Sequence, residues 1–147
     1  MHAGRLGEVR ELEPIRPEAL HSVWWKVRAG LEEVKKHSTD DWIAEDVYAA
    51  IRSGTSLLFV GYLDNAYCGF VVMTPFNTYA SRVLHIWCCY SATKRDVINL
   101  FADDLEMLAR RHQAKKLTFH SPRRGWEERL KEYGYHPVQT IFEKEVL

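Results

Sequence analysis

Residues 82–90 read RVLHIWCCY, a run rich in β-formers, and the stretch that follows decides the fold. SATK at 91–94 breaks the pattern. From 96 to 112, Val97, Leu100, Phe101, Leu105 and Leu108 recur at the three-and-four spacing of one helix face. KLTFH at 116–120 returns to a strand. Strand, helix and strand in this order make a crossover unit, and such a unit can aim a helix N-terminus at a phosphate. Whether this helix start does so is the functional question the sequence poses.

Upstream, SLLFVGYL (56–63) and YCGFVVMT (67–74) flank Asp64-Asn65, the signature of an antiparallel hairpin. Pro75 is expected to stop the second strand and leave 76–81 as a loop. Ile43, Val47, Ala50 and Ile51 mark the buried face of a helix that Gly54 ends, and STDD (38–41) offers its N-cap. Leu20, Val23, Val27, Leu31 and Val34 stripe an earlier helix, with Pro17 in its first turn. Residues 9–12 are a short strand candidate.

Downstream, SPRRG (121–125) is a turn, 126–133 a short helix with Gly134 past its end, and TIFEKEV (140–146) alternates as a last strand. The order β, α, α, β, β, β, α, β, α, β predicts a single α/β (α+β) domain over residues 1–147. Its sheet is mixed, mostly antiparallel and twisted, of about six strands flanked by four helices.

Lys plus Arg equals Asp plus Glu at 20 each, so no global charge attracts nucleic acid or an anionic membrane. The apolar runs at 57–60 and 70–73 fall far short of the roughly 20 residues that span a bilayer. The opening MHAGRLGEVRELEP carries charges where a signal peptide needs its apolar stretch, so a reducing cytoplasm is expected. Cys68, Cys88 and Cys89 have no framework spacing and read as small buried hydrophobes, with Cys88 and Cys89 on opposite strand faces. The scattered histidines form no pair at zinc spacing, and no metal is expected.

The element order resembles a GNAT-type N-acetyltransferase. Leu130-Lys131-Glu132-Tyr133-Gly134-Tyr135 resembles that family's LYEKLGF segment, and 109–119 (ARRHQAKKLTF) resembles its helix exit into the fifth strand. More narrowly, the chain is similar to small GNAT-like proteins of tailed phages and prophages. Their WP-x-V opening resembles Val23-Trp24-Trp25-Lys26-Val27, their GR-x-GW element resembles Pro122-Arg123-Arg124-Gly125-Trp126, and their K-x-L ending is close to Lys144-Glu145-Val146.

The resemblance implies acetyl-CoA binding only where the binding residues persist. The family's Q/R-x-x-G-x-G/A loop falls on Thr93-Lys94-Arg95-Asp96-Val97-Ile98, with Asp96 and Ile98 in both glycine places. A carboxylate there suits a helix start but repels a pyrophosphate, and a branched side chain blocks close approach. Lys94, Arg95 and Arg123 are the cations that could offset this. The plainer reading of Lys94-Arg95 and Arg123-Arg124 is solvated turns.

The family's acid tyrosine falls on Leu130, which cannot protonate a thiolate. The strand 82–90 holds no Asp or Glu, leaving His85 as the candidate base, with His120 as a second histidine on the same cleft. The plainer reading of each is a strand histidine with one hydrogen bond.

These losses lean toward a catalytically inactive protein without bound cofactor. The expected role is a phage-encoded structural or binding module, in virion assembly or in the particle, located in the host cytoplasm or the virion. Trp24 and Trp25 are its candidate interaction residues for a virion or host protein. The alternatives are an active acetyltransferase that uses acetyl-CoA through a remodelled loop, with His85 as base, and a regulator that binds a host protein.

Overall fold

A computed structural model describes residues 7–120 and 126–147. Strands β1 (Arg10–Ile15), β2 (Leu57–Leu63), β3 (Ala66–Asn77), β4 (Arg82–Ser91) and β5 (Lys116–Phe119) form one sheet in that order. The first four pair antiparallel, and β4 pairs parallel with β5. Helices α1 (Trp24–Lys35) and α2 (Ala44–Arg52), preceded by a 3-10 segment Pro17–Ser22, cover one face. Helices α3 (Val97–Leu100), α4 (Ala102–Arg111) and α5 (Trp126–Glu132) follow β4 and β5, and α3 and α4 fill the core of the other face. No helix among the described residues is long and apolar enough to cross a membrane.

The expected stripes are the core. Leu20, Val27, Leu31, Val47 and Ile51 pack on Leu58, Val60, Phe70 and Val72 on one face. Val97, Leu100, Phe101 and Leu105 pack on Val71, Met73, Leu84 and Ile86 on the other. Each fully buried aliphatic or Phe side chain contributes about 1.5–3 kcal/mol. Asp64 and Asn65 both take positive φ, 49° and 67°, the conformation a two-residue hairpin turn requires.

Several expectations need correcting. The segment 140–146 forms no strand, so among the described residues the sheet has five strands rather than six, and five α-helices replace the four expected. Alternation alone does not make a strand without a paired neighbour.

Pro75 does not stop β3, which runs on to Asn77 against β4. Pairing with β2 ends at Met73, so a residue without N–H can turn that edge to the open side. The helix expected over 96–112 breaks at Phe101 (φ −114°, ψ 26°), whose ring is fully buried. The stripe from Leu20 to Val34 divides into the 3-10 segment and α1. STDD does not cap α2. Asp46 does, accepting the Ile43 N–H at 2.9 Å, and Ile43 is exposed while Trp42 and Ala44 are buried.

At Gly69 (φ +148°) the backbone lies against the Tyr90 carbonyl, and an added Cβ would stand 2.7 Å from Val97 Cγ2. Gly69→Ala should therefore lower stability by about 3 kcal/mol, combining a disfavoured φ with a clash against backbone. Urea denaturation tests this; a loss below about 1 kcal/mol would contradict the close approach.

Candidate functional site

The strand pair that frames the site is β4 and β5. Their last paired residues are Ile86 and Phe119. Opposite Val72 and Met73 stand Cys88 and Ile86, so Trp87 is an extra, bulged residue. Beyond it, residues 88–91 pair with β3 alone among the described strands. Pairing with β5 thus ends at Ile86, opposite Phe119, the last residue of β5. Among the described strands, residues 88–91 leave that edge of β4 without a strand partner, and such an edge can offer its amides and carbonyls to an extended, amide-bearing ligand.

The turn after β4 satisfies its own donors. The Val97 N–H donates to Ser91 Oγ at 2.9 Å, and the Ile98 N–H donates to Asp96 Oδ1 at 2.9 Å. Thr93 Oγ1 accepts the Arg95 N–H at 3.1 Å. The side chains of Val97 and Ile98 point into the core.

Asp96 is a true N-cap, yet its Oδ2 is buried with no hydrogen-bond partner among the described residues. Burial pushes its carboxyl above the ordinary value, while the Ile98 N–H, Arg129 and Tyr133 pull the other way. A phosphate arriving here would meet a buried carboxylate and first-turn amides already in use.

Arg95 turns to the N-terminal segment and pairs with the Glu8 carboxylate. Arg10 holds the same carboxylate at 3.0 Å and also donates to the Leu100 carbonyl at 2.8 Å. The Arg95 hydrogen bond is the main reason the Glu8 carboxyl lies below its ordinary value. Lys94 is exposed. Arg123 and Arg124 lie outside the described residues, as does the side chain of Trp126.

His85 sits apart from this turn, roughly 20 Å along the strand from Ser91 at 3.3 Å per residue. Its Nδ1 lies 2.7 Å from Thr118 Oγ1, and its ring is 4.5 Å from that of His120 and 6.2 Å from that of Phe76. Burial, then His120, lowers its pKa to about 4. At neutral pH the imidazole is uncharged but a weak base, far from the value near 7 that general-base chemistry favours. The hydrogen bond to Thr118 fits the plainer reading of a strand histidine.

Leu130 packs against the α3/α4 core with Tyr133 and Tyr135. Burial raises the Tyr135 phenol to about 12 and raises Tyr133 as well, which makes each a reluctant proton donor.

Trp24 and Trp25 separate as two adjacent helix residues must. Trp24 meets Tyr48 edge-on at 4.9 Å and is half-buried, whereas Trp25 is 74% exposed. Trp25 stands over a cleft of about 430 Å³ with Tyr67, Tyr90, Lys26 and Glu33. The Lys26 ammonium lies 4.9 Å from the Tyr67 ring. Gly30 forms part of the floor, where a Cβ would come 2.7 Å from the Tyr90 ring.

Among the described residues no group of three His, Cys, Asp or Glu could hold a metal ion. Cys68 and Cys88 are buried on opposite faces, and burial raises the Cys68 thiol to about 11. Glu8, Arg10 and Ser91 escaped sequence reasoning. Glu8 and Arg95 are 87 residues apart, and no local pattern joins them.

No protein-family model matches the chain, and no curated protein matches it. Solved structures do. A possible acetyltransferase from Clostridium difficile 630 superposes with a TM-score of 0.68 at 8% identity, over 95% of this chain and 99% of that one. A predicted acetyltransferase from Clostridium acetobutylicum, solved with acetyl-CoA, gives 0.66 at 11% identity over 93% and 96%. A GNAT family acetyltransferase from Staphylococcus aureus gives 0.63 at 14% over 95% and 98%. The chain therefore has the fold of GNAT acetyltransferases.

The lowered pKa of His85 makes stability depend on pH. The unfolded imidazole takes a proton near its ordinary 6.5, and the folded one resists until about 4. Stability is therefore full above 6.5 and falls as pH drops from 6.5 toward 4. The full difference would be worth about 3 kcal/mol, which partial solvent access reduces to about 1–2 kcal/mol. Denaturation midpoints measured across this window should fall in the wild type and flatten in His85→Gln. Equal slopes would show that His85 is not the titrating group.

Proposed function

We propose that this chain is a GNAT-fold binding module that has given up acetyl-CoA turnover. One observation carries the reading: the turn that would seat a pyrophosphate is filled from within. Ser91 and Asp96 take the Val97 and Ile98 amides, and Glu8 takes Arg95. Replacement of both glycine positions and Leu130 in the acid's place support it further. His85, half-buried beside Thr118, supports no strong base.

The binding surface in this reading is the α1 cleft, where exposed Trp25 flanks two tyrosines and a lysine. Aromatic anchors beside a cleft are the residues that concentrate binding energy at protein interfaces. The virion setting, with assembly in the host cytoplasm, rests on the short phage-like motifs at 23–27, 122–126 and 144–146. A host-protein regulator would use the same cleft.

A second reading has one observation in its favour. Among the described strands, residues 88–91 of β4 have no neighbour on the β5 side, and such an edge can take up an extended amide chain. In that reading acetyl-CoA enters between the strands, Lys94, Arg95 and Arg123 hold its phosphates, and His85 deprotonates an amine.

Calorimetric titration with acetyl-CoA separates the two. The binding module shows no binding tighter than about 1 mM, equivalent to about −4 kcal/mol. Micromolar binding would favour the acetyltransferase. For the setting, mass spectrometry of purified phage particles and assembly intermediates should detect the chain. Absence from both would remove the virion role.

A further inference from the structure

The α1 cleft carries a positive charge that no described carboxylate answers. Lys26 is the third residue of α1, and its ammonium lies 5.4 Å from the centre of the Tyr62 ring and 4.9 Å from that of Tyr67. Its hydrogen-bond partner among the described residues is the Tyr62 hydroxyl, at 3.4 Å. Glu33 is the one acid that lines the cleft. It stands about 10 Å further along α1, at 1.5 Å of rise per residue. Its carboxylate is held at 2.9 Å by Lys36.

The start of α1 adds to this charge. Its first turn holds no Asp or Glu, and Val23 at the N-cap makes no side-chain cap. The partial positive charge of the helix N-terminus is therefore left standing beside Lys26. Tyr67, which lines the same cleft, keeps its phenol oxygen buried with no hydrogen-bond partner among the described residues. Burial raises the pKa of that phenol, so it stays protonated and remains a donor.

The other walls are flat and apolar. Trp25 and Tyr90 present aromatic rings, while Ala29 and Gly30 line the cleft without filling it. Such rings by themselves would accept a cation as well as an aromatic group. A cation, however, would meet Lys26 and the start of α1 as like charges. The complementary ligand is therefore a carboxylate carried next to an aromatic ring. Trp25 is 74% exposed, so one wall stands in solvent and suits the surface of a partner protein better than an enclosed small molecule.

We infer that the cleft, resting on its reading above as the binding surface, selects an acidic side chain with an aromatic neighbour in a partner's chain. The carboxylate meets Lys26 at the start of α1, and the ring lies against Trp25 and Tyr90. Charge sets the choice of partner, and the aromatic contact supplies most of the hold.

Three blocked dipeptide amides, Glu-Phe, Gln-Phe and Lys-Phe, test this by nuclear magnetic resonance titration of the isotope-labelled full chain. Glu-Phe should shift the Trp25 indole and the Gly30 and Ala92 amides, and it should bind about five- to tenfold more tightly than Gln-Phe. Lys-Phe should bind most weakly. Lys26→Met keeps the apolar stem and should erase the preference for Glu-Phe, whereas Trp25→Ala should weaken Glu-Phe and Gln-Phe alike. Added salt should narrow the gap between the two. Equal binding of the three peptides, or a preference that survives Lys26→Met, would overturn the acidic choice and leave the binding-module reading standing. Absence of shifts at these positions with every peptide, at millimolar concentration, would overturn the inference as well. The loss of acetyl-CoA binding is judged separately, by its own titration.

Discussion

β4 has to serve two cores and two pairing directions at once. It runs antiparallel to β3 along its length and parallel to β5 over four residues. Leu84 and Ile86 face the α3/α4 side; Trp87 and Cys88 both face α1 and α2; Cys89 returns to the first side. A strand without interruption would send Cys88 after Ile86. The extra residue at Trp87 resets the phase, and pairing with β5 ends one residue before it. A single bulge therefore decides which side chains of β4 fill each core.

What this end of β4 can do is governed by the turn beyond it. A helix start has orphan amides that bind whatever acceptor is nearest. Here the nearest acceptors belong to the chain itself, a serine at the end of β4 and an aspartate at the cap. The arginine of the turn is likewise drawn to a glutamate of the N-terminal segment. The fold is that of acetyltransferases, and in this chain the amides of the helix start are taken by intramolecular acceptors. The open surface lies instead on α1, where small residues let Tyr90 rise against the helix and Trp25 stands clear.

Much of the architecture was legible because it is periodic. The helix stripes, the Asp64-Asn65 hairpin and the strand–helix–strand unit follow from spacing and turn chemistry, and they correspond to elements of the sheet and its two layers. The substitution of Asp96 at a helix start was also readable, since a carboxylate there has a known local use. The failures share one cause. Pro75, the break at Phe101 and the segment 140–146 depend on which neighbour is present on one side of the chain, and periodicity does not record neighbours.

The sequence by itself determined the order of elements, which residues are apolar enough to be core, and that the helix start at 96–98 holds no glycine. These are properties of single residues and of residues a few places apart. Only the tertiary structure decided that Glu8 meets Arg95, that His85 is half-buried against Thr118 and His120, and that Trp87 is bulged. Each of these joins groups distant in the chain or fixes a strand's phase against its partners. Burial and charge then act on the assembled neighbourhood, and that neighbourhood exists only once the sheet has formed.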